Sequence, residues 1–333
     1  MTTTQIAPAT RQRLLPETGR AGFADALRSE WTKIRSTRST YWTLLALIVV
    51  CIGIGAVTCA GTASHPQGIS PAQFDSTQQS LAGLYLGQLV IAVLGALTIT
   101  SEYSTGMIRT SLAVQPRRGV VFAAKAVVFA IVTLVIGLIA SFGSFFVGQA
   151  ILSGAHLSTT LGQPNVLRAV IGGALFLTAC GMLAYGLGAI LRHTAAAISA
   201  AIGLLFVLTV LVQFLPQAWQ NNVDKWMPAL AGGQVWTTKA SSGAHQFPPW
   251  GGFAVLAGYA AVAIIAGLVL FRSRDAYQEA RSPGARWCSG HRGSLVRRGT
   301  RAPGHGSSRR LYDCPLRRQS RAVFISGSAG TRP

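Results

Sequence analysis

The segment Ser101–Gly119, SEYSTGMIRTSLAVQPRRG, is where this sequence gathers residues able to contact a partner chemically. Glu102 is its single acid. Ser104 and Thr105 are the residue types that cap a helix start. Met107, Ile108 and Leu112 would give such a helix an apolar side, and Pro116 would end it. Arg117, Arg118 and Lys125 then follow before the next apolar run. A short helix that offers both charge and apolar contact is suited to docking in the groove of another protein. The same charges could instead serve only to fix membrane topology, and spacing alone leaves both readings open.

Other chemistry is poorly supplied. No G-x-x-x-x-G-K-[ST] run is present, so any nucleotide hydrolysis would have to come from a separate subunit. No H-E-x-x-H pair occurs, and the long apolar runs contain no carboxylate for a proton relay. Cys51, Cys59 and Cys180 lie within apolar runs, where cysteine acts as a small hydrophobe. Cys288, His291, His305 and Cys314 are separated by 2, 13 and 8 residues, which fits a zinc finger poorly. No C-x-x-C occurs. Neither a metal nor another cofactor is expected. Gln88, Tyr85, Ser141, Ser144, Tyr185, Gln213 and Tyr259 are the mild polar groups inside the apolar runs, and bonding to neighbouring helices is their default role.

The elements that would position Ser101–Gly119 are set by composition. Of 333 residues 50% are apolar and only 11% charged, and the mean hydropathy is +0.41. Soluble domains carry about 25% charged residues. The chain is therefore expected to be an all-α polytopic membrane protein. A bilayer core of about 30 Å needs about 20 apolar residues per helical crossing. Six stretches qualify: 41–61, 81–100, 126–147, 170–191, 195–215 and 251–271, none with Asp, Glu, Lys or Arg. The first is too long and begins too late for a cleaved signal peptide.

Lys and Arg set the expected orientation. With both termini cytoplasmic, 26 of them fall inside and only Arg168, Lys225 and Lys239 outside. Without the Arg-rich tail the inner excess persists. The net charge of +20 thus reads as topology, and no nucleic-acid partner is expected. Trp42, Trp219, Trp226, Trp236 and Trp250 lie near span ends, as an interfacial aromatic belt would.

Residues 1–22 read as a flexible N-terminal segment. Residues 23–40 read as an amphipathic interfacial helix: Phe23, Leu27, Trp31 and Ile34 share one face, with Asp25, Arg28, Lys33 and Arg35 elsewhere. Residues 41–271 form the six-span domain. In its fifth loop, Trp219, Val223, Trp226 and Leu230 have helical spacing and predict a short helix, either anchored at the outer interface or lying as a lid over an exit path. Residues 272–333 hold 14 Arg, nine Ser, eight Gly and four Pro, a composition that builds no core. This basic tail reads as disordered, or as an out-of-frame extension of GC-rich coding sequence.

The order of these parts, with S-E-W-T-K-I-R-S-T-R-S-T-Y-W before the first span and E-Y-x-x-G-x-x-R-x-x-L ending in P-R-R after the second, resembles the type-2 permease subunits of ATP-binding-cassette exporters. The similarity runs from about residue 23 to 275. It implies a coupling helix after the second span that touches an ATPase subunit, which assigns Glu102, Tyr103, Gly106, Arg109 and Leu112 to that contact. Trp31, Lys33 and Arg35 of the amphipathic helix would join it. It also implies a second permease subunit, a substrate path between the two, export of a small or amphipathic molecule, and a cell-membrane location. The tail departs from the family pattern. A non-transporting six-span sensor or immunity-type partner is the alternative reading.

Overall fold

The computed structural model describes residues 22–65, 74–104, 118–239 and 247–280. Among these residues every regular element is a helix. In chain order they are α1 (Phe23–Ser36), α2 (Arg38–Ser64), α3 (Ser76–Ser80), α4 (Leu84–Ser104) and α5 (Arg118–Ser153). There follow α6 (Val166–Leu191), α7 (Thr194–Val212), α8 (Gln217–Val223), α9 (Pro228–Gly233) and α10 (Pro249–Ala280). Six of them, α2, α4, α5, α6, α7 and α10, are long and apolar enough to cross a membrane.

The spans form where the apolar runs predict them, with extensions that are informative. α5 has 36 residues, or about 54 Å at 1.5 Å per residue, well beyond a bilayer core of about 30 Å. That excess length leaves room for its first turns, which carry Lys125, to lie outside the hydrocarbon. Ser101–Ser104 continue α4 rather than opening a new helix, so Ser104 is not a cap there. The sixth span likewise runs through Arg272 to Ala280, which places the start of the expected tail in helix. The rest of that tail lies outside the described residues.

α6 is the hub. It packs against α4, α5, α7 and α10. Its most apolar stretch is 67% buried, against 22% for α7 and α10, whose outward faces are not covered by the described residues of this chain. Small residues permit this close packing. A Cβ on Gly186 would lie 2.6 Å from the Ala263 carbonyl carbon of α10 and 2.7 Å from its Cβ, whereas one on Gly258 would meet nothing within 4 Å. Gly186→Val is expected to destabilise the bundle by about 1–3 kcal/mol through overpacking. Gly258→Ala should leave it unchanged or slightly steadier. The half-lives of the two purified variants as monodisperse protein in a heat step check this.

Three of the in-span polar groups bond to neighbouring elements, whereas Gln88 Oε1 is buried without a hydrogen-bond partner among the described residues. Ser141 Oγ donates to the Val170 carbonyl (2.6 Å), Ser144 Oγ to those of Ser80 (2.6 Å) and Cys51 (3.1 Å), and the Tyr185 hydroxyl to Phe122 (3.1 Å). At the side opposite α1, Asp75 ties two loops together. Its Oδ1 accepts from the Gln78 amide at 2.9 Å, and its Oδ2 from the Thr238 and Lys239 amides at 2.7 and 3.0 Å.

Two loop expectations need correction. The helix predicted through Trp219, Val223, Trp226 and Leu230 breaks at Met227, which is extended (φ −68°, ψ 123°). Pro228 is the cause: proline pushes the preceding residue out of the helical region and then occupies the first turn of α9. Trp236 is not a belt residue. It is fully buried, edge-on to Tyr85 with ring centres 4.9 Å apart, and also meets Phe176. Trp42, Trp219, Trp226 and Trp250 are exposed, as a belt requires.

Candidate functional site

α1 and α2 are separate helices joined through Thr37 alone, whose extended backbone (φ −89°, ψ 105°) stops one and starts the other. α1 is well specified locally. The Asp25 carboxylate in its first turn accepts the Gly22 amide at 2.9 Å, and Lys33 and Arg35 in its last turn suit the negative end of the helix dipole. Its apolar stripe faces outward in part, with Phe23 and Trp31 exposed. The side turned to the bundle carries Ala26 and, one turn on, Glu30.

Glu30 is 2% exposed and sits in a four-charge cluster. Its Oε1 takes Lys33 Nζ at 2.7 Å, and its Oε2 takes Lys125 Nζ of α5. Glu102, in the last turn of α4, receives both lysines on Oε1, Lys125 at 2.8 Å and Lys33 at 3.3 Å. Each carboxylate thus meets two ammonium groups, and the cluster is neutral. Lys125 and Glu102 are buried as well. Ions removed from water persist only with such partners. Burial alone would lower the Lys33 pKa, but its hydrogen bond to Glu30 and the charges of Glu102 and Glu30 outweigh that and raise it above the ordinary lysine value. Its stabilising contribution is fully present below the ordinary lysine pKa and is lost only as pH rises through the raised value.

The residue after Glu102 faces another way. The Tyr103 ring lies edge-on to Phe271 of α10 (6.4 Å between centres), and the Arg192 guanidinium sits 5.1 Å from its centroid. Arg192 occupies the tight turn between α6 and α7 in left-handed conformation (φ 56°) and donates from Nη2 to the Leu270 carbonyl at 3.1 Å. Phe271 also meets Phe122, which meets Tyr185, which stacks on Phe129. Phe122, Lys125 and Phe129 share one face of α5 (positions i, i+3 and i+7). One dipeptide, Glu102–Tyr103, therefore joins α1 and α5 through its carboxylate and the last span through its ring.

Of the residues singled out from sequence, Glu102, Tyr103 and Lys33 come together here. Trp31 lies half exposed on the outward side of α1. Arg35 is also exposed, its carbonyl accepting the Tyr41 hydroxyl at 2.9 Å. Gly106, Arg109 and Leu112 lie outside the described residues. Sequence reasoning missed Glu30 and the inward role of Lys125. A signal existed: in a chain with only four lysines, Lys33 and Lys125 are the two on this side of the bundle, each matched by one of its few acids.

Six apolar helices with a charge cluster confined to their rim define a multi-pass membrane protein. The family model described as ABC-2 family transporter protein matches residues 26–212, more than half of the chain and all of the cluster. The chain belongs to the ABC-2 transporter family, a class of membrane transport components. A comparison with curated proteins returns no match.

Proposed function

We propose that the chain is the permease subunit of an ATP-binding-cassette exporter, with both termini cytoplasmic. It pairs with a second permease subunit and relies on a separate ATPase for hydrolysis. The segment from Glu102 to Leu112 is the coupling element. Glu102, Tyr103, Gly106, Arg109 and Leu112 carry it, and α1 around Trp31, Lys33 and Arg35 lies beside it. The cargo is a small or amphipathic molecule, since the spans offer it no fixed charge. The division into a leading segment (1–22), an amphipathic helix (23–40), a permease domain (41–271) and a tail (272–333) belongs to the same reading.

The observation that supports it most is the double attachment of Glu102–Tyr103. A push on the loop after Ser104 would reach α1 and α5 through the charge cluster and α10 through Tyr103. A mere topological tether needs no such attachment.

Orientation is tested by introduced cysteines in a chain whose Cys288 and Cys314 are serine. Cysteines at Ser70 and Ser242 should react with an impermeant maleimide in intact cells, and one at Ser36 should not. Labelling at Ser36, or protection at both other sites, would overturn the orientation. Co-purification with an ATPase encoded beside it, together with substrate-stimulated ATP hydrolysis, tests the transport role and separates it from a non-transporting sensor.

A further inference from the structure

On the side of the bundle opposite α1, a cavity of about 260 Å³ lies among four parts of the chain. Phe74, Ser76 and Thr77 border it at the start of α3, and His156 to Thr159 after α5. Gln163, Pro164 and Val166 border it at the start of α6, and Thr238 and Lys239 before α10. Two side chains outside the lining fasten these parts together. Gln149 of α5 donates from Nε2 to the Ser76 carbonyl (3.1 Å) and accepts the Thr159 amide on Oε1 (2.7 Å). Asp75 holds the Thr238 and Lys239 amides. The polar side chains of the lining are thereby left free. Thr77 is fully buried, yet its Oγ1 has no hydrogen-bond partner among the described residues. The side chains of Ser76, His156, Ser158, Thr159, Gln163 and Thr238 make no hydrogen bond to a described residue either. A buried hydroxyl without a partner is rare and costly, and a ligand in the cavity would supply one.

Eight of the twelve lining residues are polar, and seven of the eight are hydroxyl, carboxamide or imidazole groups. Each of these can donate and accept at once. The eighth, Lys239, gives its ammonium to the Phe74 carbonyl at 2.6 Å. An anion could only accept, and it would lie beside the Asp75 carboxylate, whose neighbours Phe74 and Ser76 both line the cavity. A cation could only donate, and it would meet Lys239. A neutral molecule with several hydroxyls uses both halves of this lining, while Leu157, Pro164 and Val166 offer contact for its C–H groups. The volume lies just below the range of about 300–1,000 Å³ typical of small-molecule sites, which suits a single ring. We infer that this cavity binds a neutral polyhydroxylated ring, a monosaccharide or cyclic polyol, with Thr77, His156 and Gln163 among its hydrogen-bonding partners. This goes beyond the permease reading, because the site is defined by its lining and not by transport.

The test is saturation-transfer NMR on the full chain in phosphatidylcholine nanodiscs, with the signal of empty nanodiscs subtracted. The probes are glucose, galactose, mannose and myo-inositol. At least one of them should bind at concentrations about tenfold lower than glucuronate, protonated glucosamine or cyclohexanol. The first two of these controls add a charge to a hydroxylated ring, and the third keeps a ring with a single hydroxyl. Thr77→Val removes the buried hydroxyl and keeps the side-chain shape; Gln163→Leu removes an exposed carboxamide. Neither group bonds within the described fold, so both variants should be as durable in a heat step as the parent or more so. Each should weaken binding of the preferred probe about three- to tenfold. No signal above empty nanodiscs for any of the four probes would overturn the proposal. So would binding of glucuronate, glucosamine or cyclohexanol as tight as that of the best neutral probe, or affinity unchanged in both variants. Binding is read without ATP or ATPase, so these failures would leave the permease reading standing.

Discussion

Lys125→Met should be among the most destabilising single substitutions in this chain. It would leave Glu30 and Glu102, 2% and 8% exposed, to share Lys33 alone. Removing one partner of a buried ion pair costs about 3–5 kcal/mol, because the remaining charge is stranded away from water. Glu30→Leu should cost a similar amount, with two ammonium groups then left to Glu102. The informative variant is the double, Glu30→Leu with Lys125→Met. It removes one charge of each sign and keeps the Lys33–Glu102 pair at 3.3 Å. Since a buried pair replaced by apolar residues is often neutral or stabilising, the double should recover most of the lost stability. Loss and recovery are read as monodisperse protein surviving a heat step. The heat step is used because large membrane proteins rarely unfold reversibly, so a half-life is the appropriate quantity. A Lys125→Met protein as durable as the parent would show that α1 is held by packing alone. A double no better than the singles would show that pairing geometry, and not charge balance, holds the helix.

Why the spans were legible and the cluster was not has a physical basis. A bilayer core demands a fixed length of apolar residues whatever the tertiary contacts, so six runs without charge predict six helices from composition. The ends depend on what lies beyond the hydrocarbon. The third run reads from Ala126 because Lys125 is charged, yet its helix begins at Arg118, where charge is tolerated. In α1 the apolar stripe is plain in the sequence. The importance of Glu30 is not, because its partner Lys125 lies 95 residues away. Trp236 shows the same limit. Proximity to a span end predicts a belt, and only contacts with Tyr85 and Phe176 turn the ring inward. The break before Pro228, by contrast, is a local rule that the helical spacing of Trp219 to Leu230 masked.

Tyr103→Ala and the pair Arg109→Glu with Leu112→Asp should both abolish substrate-stimulated ATP hydrolysis, for different reasons. Arg109 and Leu112 are proposed to contact the ATPase. Removing one side of a buried, hydrogen-bonded charge pair costs about 2–5 kcal/mol, enough to lower affinity tenfold or far more. The double variant should therefore insert normally and lose the ATPase on co-purification. Arg117→Glu, which alters a membrane-edge charge, should retain it. Tyr103 stands on the other side of the joint, against Phe271 and Arg192 of the bundle. Its ring contacts are worth about 0.5–2 kcal/mol each, too little to unfold six packed spans but a large part of one mechanical linkage. Tyr103→Ala should thus keep the ATPase bound and lose stimulation, whereas Tyr103→Phe, which preserves both ring contacts, should keep both. If Tyr103→Ala hydrolyses ATP normally in response to substrate, force does not pass through this ring, and the charge cluster alone would have to carry it. If the Arg109 and Leu112 double still binds the ATPase and responds to substrate, the loop is only a tether between two spans, and the coupling assignment falls with it.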